Sequence, residues 1–234
     1  AVEYRFTQKI KNAIAARYGL PHDAVLFNLS HSHFTPVSRN WFPFGRWAYP
    51  DERYLGQVAD SIVKCVGKAL KNRCESQVYT CRTESRIGLN RSLCGPEAPY
   101  DPTVDVVKVV PADGTEPVIV FSAACHPVFP NAGESRYTIS ANFAGTARRM
   151  IEDRTGARSM FLQGCAGDTN PISQDYRATG ETLAQDVIRA VEGKMVPVSG
   201  KITCRLDSIG FSIEIPAQCE IERFIQENGN RSMD

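Results

Sequence analysis

Histidine is scarce in this chain, four residues in 234. Other things are missing altogether. No apolar stretch approaches the ~20 residues a membrane-spanning helix needs, which excludes such a span. Neither charge sign is in excess, 27 basic against 26 acidic residues, so no broad polyanion-binding surface and no nucleic-acid partner is implied. The eight cysteines include no CxxC pair, which argues against a thiolate zinc knuckle. No repeat or low-complexity tract is visible. The chain opens on Ala1-Val2-Glu3-Tyr4 without an initiator Met or a signal-like apolar region, and passes straight into a helical pattern. It is therefore expected to be part of a longer protein.

What is present is concentrated. Three of the four histidines fall in two short motifs, His31-Ser32-His33 and Cys125-His126-Pro127, each at the end of an apolar run. Neutral imidazole is the commonest metal ligand in proteins. In open α/β sheets functional groups collect where strands run out into loops. The first reading from the residues alone is a metal-dependent hydrolase.

Along the chain, Phe6, Ile10, Ala13 and Ile14 mark a helix stopped by Gly19 and Pro21. Residues 24–30 read as a buried strand delivering His31 and His33 at its exit. Residues 34–50 hold Phe34, Pro36, Trp41, Phe42, Pro43, Phe44, Trp47, Tyr49 and Pro50. That is either a loop packed on its own side chains or a lipophilic wall beside a site. Asp51 caps a helix reaching to about residue 72, with Leu55, Val58, Ile62, Val66 and Leu70 on its apolar face. Segments 77–88, 103–110 and 117–125 read as strands, the last apolar enough to be central with both faces covered. A helix over 142–153, a strand over 158–163, a helix over 180–192 capped by Thr179, and a strand or hairpin over 201–215 follow. The alternation predicts an α/β fold: a mixed sheet with helices on both faces, incomplete at both ends.

Each motif has two readings. Alternate residues of a strand point the same way, so His31 and His33 can face one site, as ligands or as a hydrogen-bonded pair. Cys125 and His126 point to opposite faces and make a poor dyad. Cys165, in Gly164-Cys165-Ala166-Gly167, is a better thiol candidate, although the GxSxG spacing is not met. Asp168 and Asn170 either orient a ligand or build an Asx turn before Pro171. Arg91 gains a role only if it faces the histidines, where it can hold a developing oxyanion. The even cysteine count allows disulfides, Cys74 or Cys81 with Cys94 for example, while Cys65 on an apolar helix face reads as a free thiol.

In order, Ser30-His31-Ser32-His33-Phe34-Thr35-Pro36, Asn90-Arg91-Ser92, Cys125-His126-Pro127, Ile139-Ser140-Ala141-Asn142-Phe143-Ala144-Gly145 and Gly164-Cys165-Ala166-Gly167-Asp168-Thr169-Asn170-Pro171 resemble the neutral, non-lysosomal ceramidase family. The resemblance implies a zinc-dependent amidase that splits the N-acyl bond of ceramide with a zinc-activated water. By position, His31 and His126 correspond to histidine ligands of the zinc ion. His33 and Arg91 correspond to groups contacting the substrate or its oxyanion, and Asp168 and Asn170 fall in the family's catalytic loop. Three positions differ from the family pattern. Asn170 stands where ceramidases have a serine, and Ala141-Asn142 where they have Ser-Asp. The Glu and Tyr that complete the family's zinc site have no recognisable counterpart, Glu214, Glu220 and Glu222 sitting in unrelated context. The resemblance further implies a lipid-like N-acyl substrate met at a membrane surface, a secreted, periplasmic or cell-surface location, and residues 1–234 as the central portion of one catalytic domain without the family's C-terminal β-sandwich. Two other functions fit the same residues: a zinc hydrolase of a different amide or ester, and a non-catalytic lipid- or glycan-binding homologue.

Overall fold

Every second side chain of Val118–Ala123 is buried, Ile119, Phe121 and Ala123 facing inward while Val118, Val120 and Ser122 are half-covered. This period-two burial sets the core of the computed structural model, which describes residues 2–39, 49–93, 95, 98–129, 138–212 and 214–228. The chain divides into two compact units, Ala1–Thr203 and Cys204–Asp234.

The first unit contains helix α1 (Tyr4–Tyr18), a 3-10 turn (His22–Ala24), helix α2 (Glu52–Lys71), strands β1 (Ser76–Glu84), β2 (Gly88–Asn90), β3 (Thr103–Pro111) and β4 (Val118–Ala123), helix α3 (Asn142–Thr155), strands β5 (Arg158–Gln163) and β6 (Thr169–Pro171), helix α4 (Tyr176–Glu192) and strand β7 (Val196–Val198). Five strands form a mixed sheet in the order β5-β4-β3-β1-β7. β4 and β5 run parallel, joined through α3 as a βαβ crossover requires, and the other pairs are antiparallel. A two-stranded ladder, β2-β6, stands apart from the main sheet. The fold class is α/β.

Helices α3 and α4 cover the sheet with Phe143, Ala147 and Ile151 from one, and Leu183, Val187 and Val191 from the other, against Val104, Val106, Ile119 and Phe121. The Phe121, Phe143 and Phe161 rings meet edge to face at 5.6 and 5.7 Å. Each such buried side chain stabilises the fold by about 1.5–3 kcal/mol. Gly180 lets the two helices touch: a Cβ there would lie 2.5 Å from the Phe143 carbonyl oxygen. A second cluster, built from Ile10 and Ile14 of α1 and Ala59 and Val63 of α2, joins the first two helices.

Gly19, at φ 69°, ends α1 where expected, and the Asp51 carboxylate accepts from the Tyr54 N–H at the start of α2. Helix α4 begins earlier than its apolar stripe predicts. Asp175 is its cap, accepting from the Arg177 N–H, and Thr179 lies inside the first turn. Residues 24–30 form no strand: among the described residues no backbone ladder pairs with them, and Leu26 and Leu29 are exposed. Val196–Val198 pairs with β1, and the described residues of 201–215, expected as a strand or hairpin, form no strand. In the second unit the described residues form one helix, α5 (Gln218–Asn228), preceded by an irregular segment with Leu206, Ile209, Phe211 and Ile215 exposed. Most of the aromatic loop, residues 40–48, lies outside the described residues, as does Cys94. Cys74 and Cys81 are free thiols.

Candidate metal centre

Three segments converge on one point. His126 follows the end of β4, held by its N–H to the Thr169 carbonyl at 2.8 Å. His31 and His33 lie on an irregular turn and not on a strand. His31 has φ 56°, a left-handed conformation that histidine tolerates better than most side chains, so the turn brings the two rings together where strand alternation was expected to do so. This turn is fastened to the start of α3: Ser32 Oγ donates to the Ser140 carbonyl, and the Ser140 N–H donates to the Phe34 carbonyl. The His33 N–H reaches the Pro127 carbonyl at 3.4 Å.

The result is a cluster of His31, His33 and His126 with one ligand nitrogen from each within 4.8 Å of the others. The Nε2 atoms of His33 and His126 are 3.0 Å apart. Two nitrogens sharing a tetrahedral zinc ion at 2.0–2.1 Å stand roughly 3.3 Å apart, so nitrogens gathered within 4.8 Å can close on such an ion, His126 and His31 as ligands with His33 beside them. His126 Nδ1 lies 3.1 Å from the Ala166 carbonyl oxygen. A ring N–H donated to a carbonyl leaves the other nitrogen as a lone pair, the arrangement typical of a metal-ligating histidine. His126 is buried while His31 and His33 are exposed, so the site is anchored on one side and open to solvent on the other.

The electrostatics agree. Burial, then the neighbouring His126, lowers the pKa of His31, and burial, then His126 and His31, lowers that of His33. Burial also lowers that of His126, against the opposing hydrogen bond to Ala166, and the Arg91 guanidinium pushes in the same direction as burial. Near neutral pH the rings are uncharged, as metal ligands must be.

The Arg91 guanidinium is thus near enough for its charge to be felt by all three rings. Its backbone N–H donates to the Asp168 carbonyl at 2.7 Å, and its neighbour Asn90 fixes the loop. The buried Asn90 amide donates to Pro99 O and Asp168 Oδ2 and accepts from the N–H groups of Ser92 and Leu93. Asp168, also hydrogen-bonded by Thr169 Oγ1, thus holds the Arg91 loop in place. Asn170 lies on β6 opposite Leu89, its buried Oδ1 without a hydrogen-bond partner among the described residues.

No protein-family model matches the chain, and a search of curated proteins finds no match. Solved structures do, among them the neutral ceramidase of Pseudomonas aeruginosa, with 19% identity and a TM-score of 0.68, and a ceramidase complexed with C2, with 19% identity and a TM-score of 0.71. The chain has a ceramidase-like fold. Both matches cover 84% of this chain, which spans about a third of the matched chains, 36% and 35%.

Within this ceramidase-like fold stretches 31–33 and 126 meet in the imidazole cluster, and stretches 91 and 168–170 border it through the backbone bonds from Arg91 N–H to Asp168 O and from His126 N–H to Thr169 O. Cys125 is not part of the site: it is wholly buried, and burial pushes its thiol pKa up to about 12. Cys165 is exposed on the loop that carries Ala166. Sequence reasoning missed Ala166 and Thr169, which act through backbone carbonyls, and Ser140, which anchors the histidine turn. No helix among the described residues is long and apolar enough to cross a membrane.

Proposed function

We propose that this chain carries the metal-binding core of a zinc-dependent hydrolase that cleaves the N-acyl amide bond of ceramide or a related N-acyl lipid. The observation that carries the reading is the convergence of three imidazoles and one guanidinium in a ceramidase-like fold. His31 and His126 hold the zinc ion, and the Ala166 carbonyl fixes the tautomer of His126. Zinc bound there supplies Lewis acidity toward the amide carbonyl and lowers the pKa of water.

The chain's own residues do the rest. His33, exposed and next to His126, contacts the substrate at the reacting amide. Arg91 brings positive charge to the oxygen on which negative charge develops, the kind of contribution whose removal costs about 10²–10³ in rate. Asp168 and Asn90 keep Arg91 aimed. Asn170 has no hydroxyl, so it serves by hydrogen bonding and not as a nucleophile. By the same reading the substrate is met at a membrane surface, and the protein works outside the cytoplasm. Asn170 also favours a second reading in which the fold and metal are kept but the substrate is a different amide or ester, because substrate choice resides in loop residues and not in the fold.

The test is zinc per chain by elemental analysis, paired with hydrolysis of N-acyl sphingosines against short N-acyl amides. Stoichiometric zinc with preferential sphingosine release is expected. Stoichiometric zinc with turnover of the short amides alone would move the assignment to the second reading. A zinc-free protein that still binds lipid would leave a non-catalytic homologue.

A further inference from the structure

Residues 25–30 carry the chain to His31 without forming a strand, yet His31 and His33 are held beside His126. The link is a pair of amides. Asn28 Nδ2 donates to the Gln163 carbonyl at 3.0 Å, and the Gln163 N–H donates to Asn28 Oδ1 at 2.9 Å. One side chain thus makes the two bonds that a neighbouring strand would make to the end of β5. Gln163 then reaches the other way, its Nε2 donating to the Cys125 carbonyl at 3.0 Å and, more loosely, to the Gly164 carbonyl at 3.4 Å. Cys125 immediately precedes His126. Asn28 is three residues before His31. Both histidine-bearing segments are therefore registered on one residue, the last of β5.

We propose that Asn28 and Gln163 are positioning residues: together they set the distance between the His31–His33 turn and His126, and so the affinity and geometry of the metal centre. This rests on the metal-site reading above. Among the described residues neither side chain is hydrogen-bonded to an imidazole, and Asn28 lies at the exposed edge of the sheet, where its loss leaves the core untouched. A shell that only orients ligands typically changes metal affinity by 10–100-fold when broken. Gln163 holds the β4 end and Asn28 the turn, so removal of either is expected to act on the same spacing.

The experiment compares the full chain with Asn28→Ala and Gln163→Ala. Zinc affinity is read by competition with a chromophoric chelator, and ligand geometry by the visible spectrum of the cobalt(II)-loaded proteins. The metal-free spacing is read as the ring-to-ring NOE between His33 and His126, whose centroids are 4.9 Å apart. Both variants are expected to bind zinc 10–100-fold more weakly, with altered cobalt bands, a weakened NOE and an unchanged far-UV spectrum. Unchanged affinity, bands and NOE would overturn the proposal while leaving the metal site intact. Loss of zinc together with loss of the far-UV spectrum would overturn it in favour of a purely structural role. A parent chain that binds no zinc, with an NOE that still disappears in Asn28→Ala, would support the positioning and overturn the metal reading instead. If the parent binds no zinc and the NOE is unchanged, both fall.

Discussion

Gly88→Ala tests whether the small β2-β6 ladder is a rigid part of the site. A Cβ at residue 88 would lie 2.5 Å from Thr169 Cγ2, against 3.6 and 3.7 Å from the Asn170 and Ala124 carbonyl oxygens. Carbon atoms rest about 3.5–4.0 Å apart, so the overlap is on the order of 1 Å. Thr169 is 1% exposed and its methyl has nowhere to swing. Overpacking of this kind costs about 1–3 kcal/mol, offset by about 0.4–1 kcal/mol from the less flexible unfolded chain, because Gly88 has no positive φ to forbid alanine. The net destabilisation is roughly 0.5–2 kcal/mol, and at about 2–4 °C per kcal/mol the Tm falls by several degrees.

The chemical consequence follows from what Thr169 does. Its carbonyl holds the His126 N–H, and the ladder carries Asn90 toward Arg91 on one strand and Asn170 on the other. A shift near 1 Å at such a junction lowers turnover by roughly 10- to 100-fold. Thr169→Ser removes the clashing methyl and keeps the hydroxyl that donates to Asp168 Oδ1. The double variant is therefore expected to recover both Tm and turnover, with a coupling energy of about 1–2 kcal/mol in a thermodynamic cycle. Calorimetry of the four proteins and their specific activities give the answer. Strictly additive effects would refute the clash, and a Tm loss without any change in turnover would refute the ladder's link to the site.

Other consequences can be checked on the same preparations. His126→Ala and His31→Ala should each lose stoichiometric zinc, while His33→Ala keeps the metal and loses turnover; zinc loss in His33→Ala equal to that in His126→Ala would make His33 a ligand. Arg91→Ala should lower turnover by about 10²-fold with zinc content and Tm nearly unchanged, and a collapse of Tm would make Arg91 structural. The metal-free protein should lose stability on acidification: the folded pKa values of the three site histidines lie below the ordinary value of about 6.5, so the unfolded chain binds protons first. Their contribution is complete above pH 6.5 and is lost as pH falls through the lowered folded values, so the urea midpoint should drop between pH 7 and pH 5, less so in His126→Gln. A flat profile in both would contradict the clustered rings. Asn170→Ser should raise ceramide hydrolysis if the missing hydroxyl limits the reaction, and no gain at unchanged stability would remove that explanation.

Much of the fold was legible because its elements carry their own punctuation. Gly19 and Asp51 mark real helix ends, and β5 occupies the span that its composition predicts. The two misread strands share one cause. Residues 24–30 and 201–215 are apolar enough for strands, but a strand exists only with a partner, and partnership is a property of the whole sheet. Helix α4 starts before its apolar stripe because Asp175 supplies a cap four residues ahead of Thr179. The β2-β6 ladder is three residues long on each side, too short for periodicity to register.

The site divides along a different line. Side chains that carry the chemistry, His31, His33, His126 and Arg91, announce themselves by residue type, since few other groups bind metal or fix an oxyanion. The groups that place them do not. Ala166 and Thr169 contribute carbonyl oxygens that any residue could offer, and Asn28 and Gln163 contribute amides that are ordinary at strand ends. Their importance arises only once residues 28, 126, 163 and 169 are brought together. The sequence expectation that strand alternation aligns His31 with His33 reached the right neighbours through the wrong geometry, for the left-handed His31 does that work. A strained turn costs on the order of 1–3 kcal/mol and persists only when its surroundings over-determine it. Here the surroundings are the Ser32–Ser140 tie on one side and the Asn28–Gln163 tie on the other. The turn is held at both ends against its own backbone preference, with His31 between the fixed points, His33 immediately beyond Ser32, and a third, buried imidazole facing them.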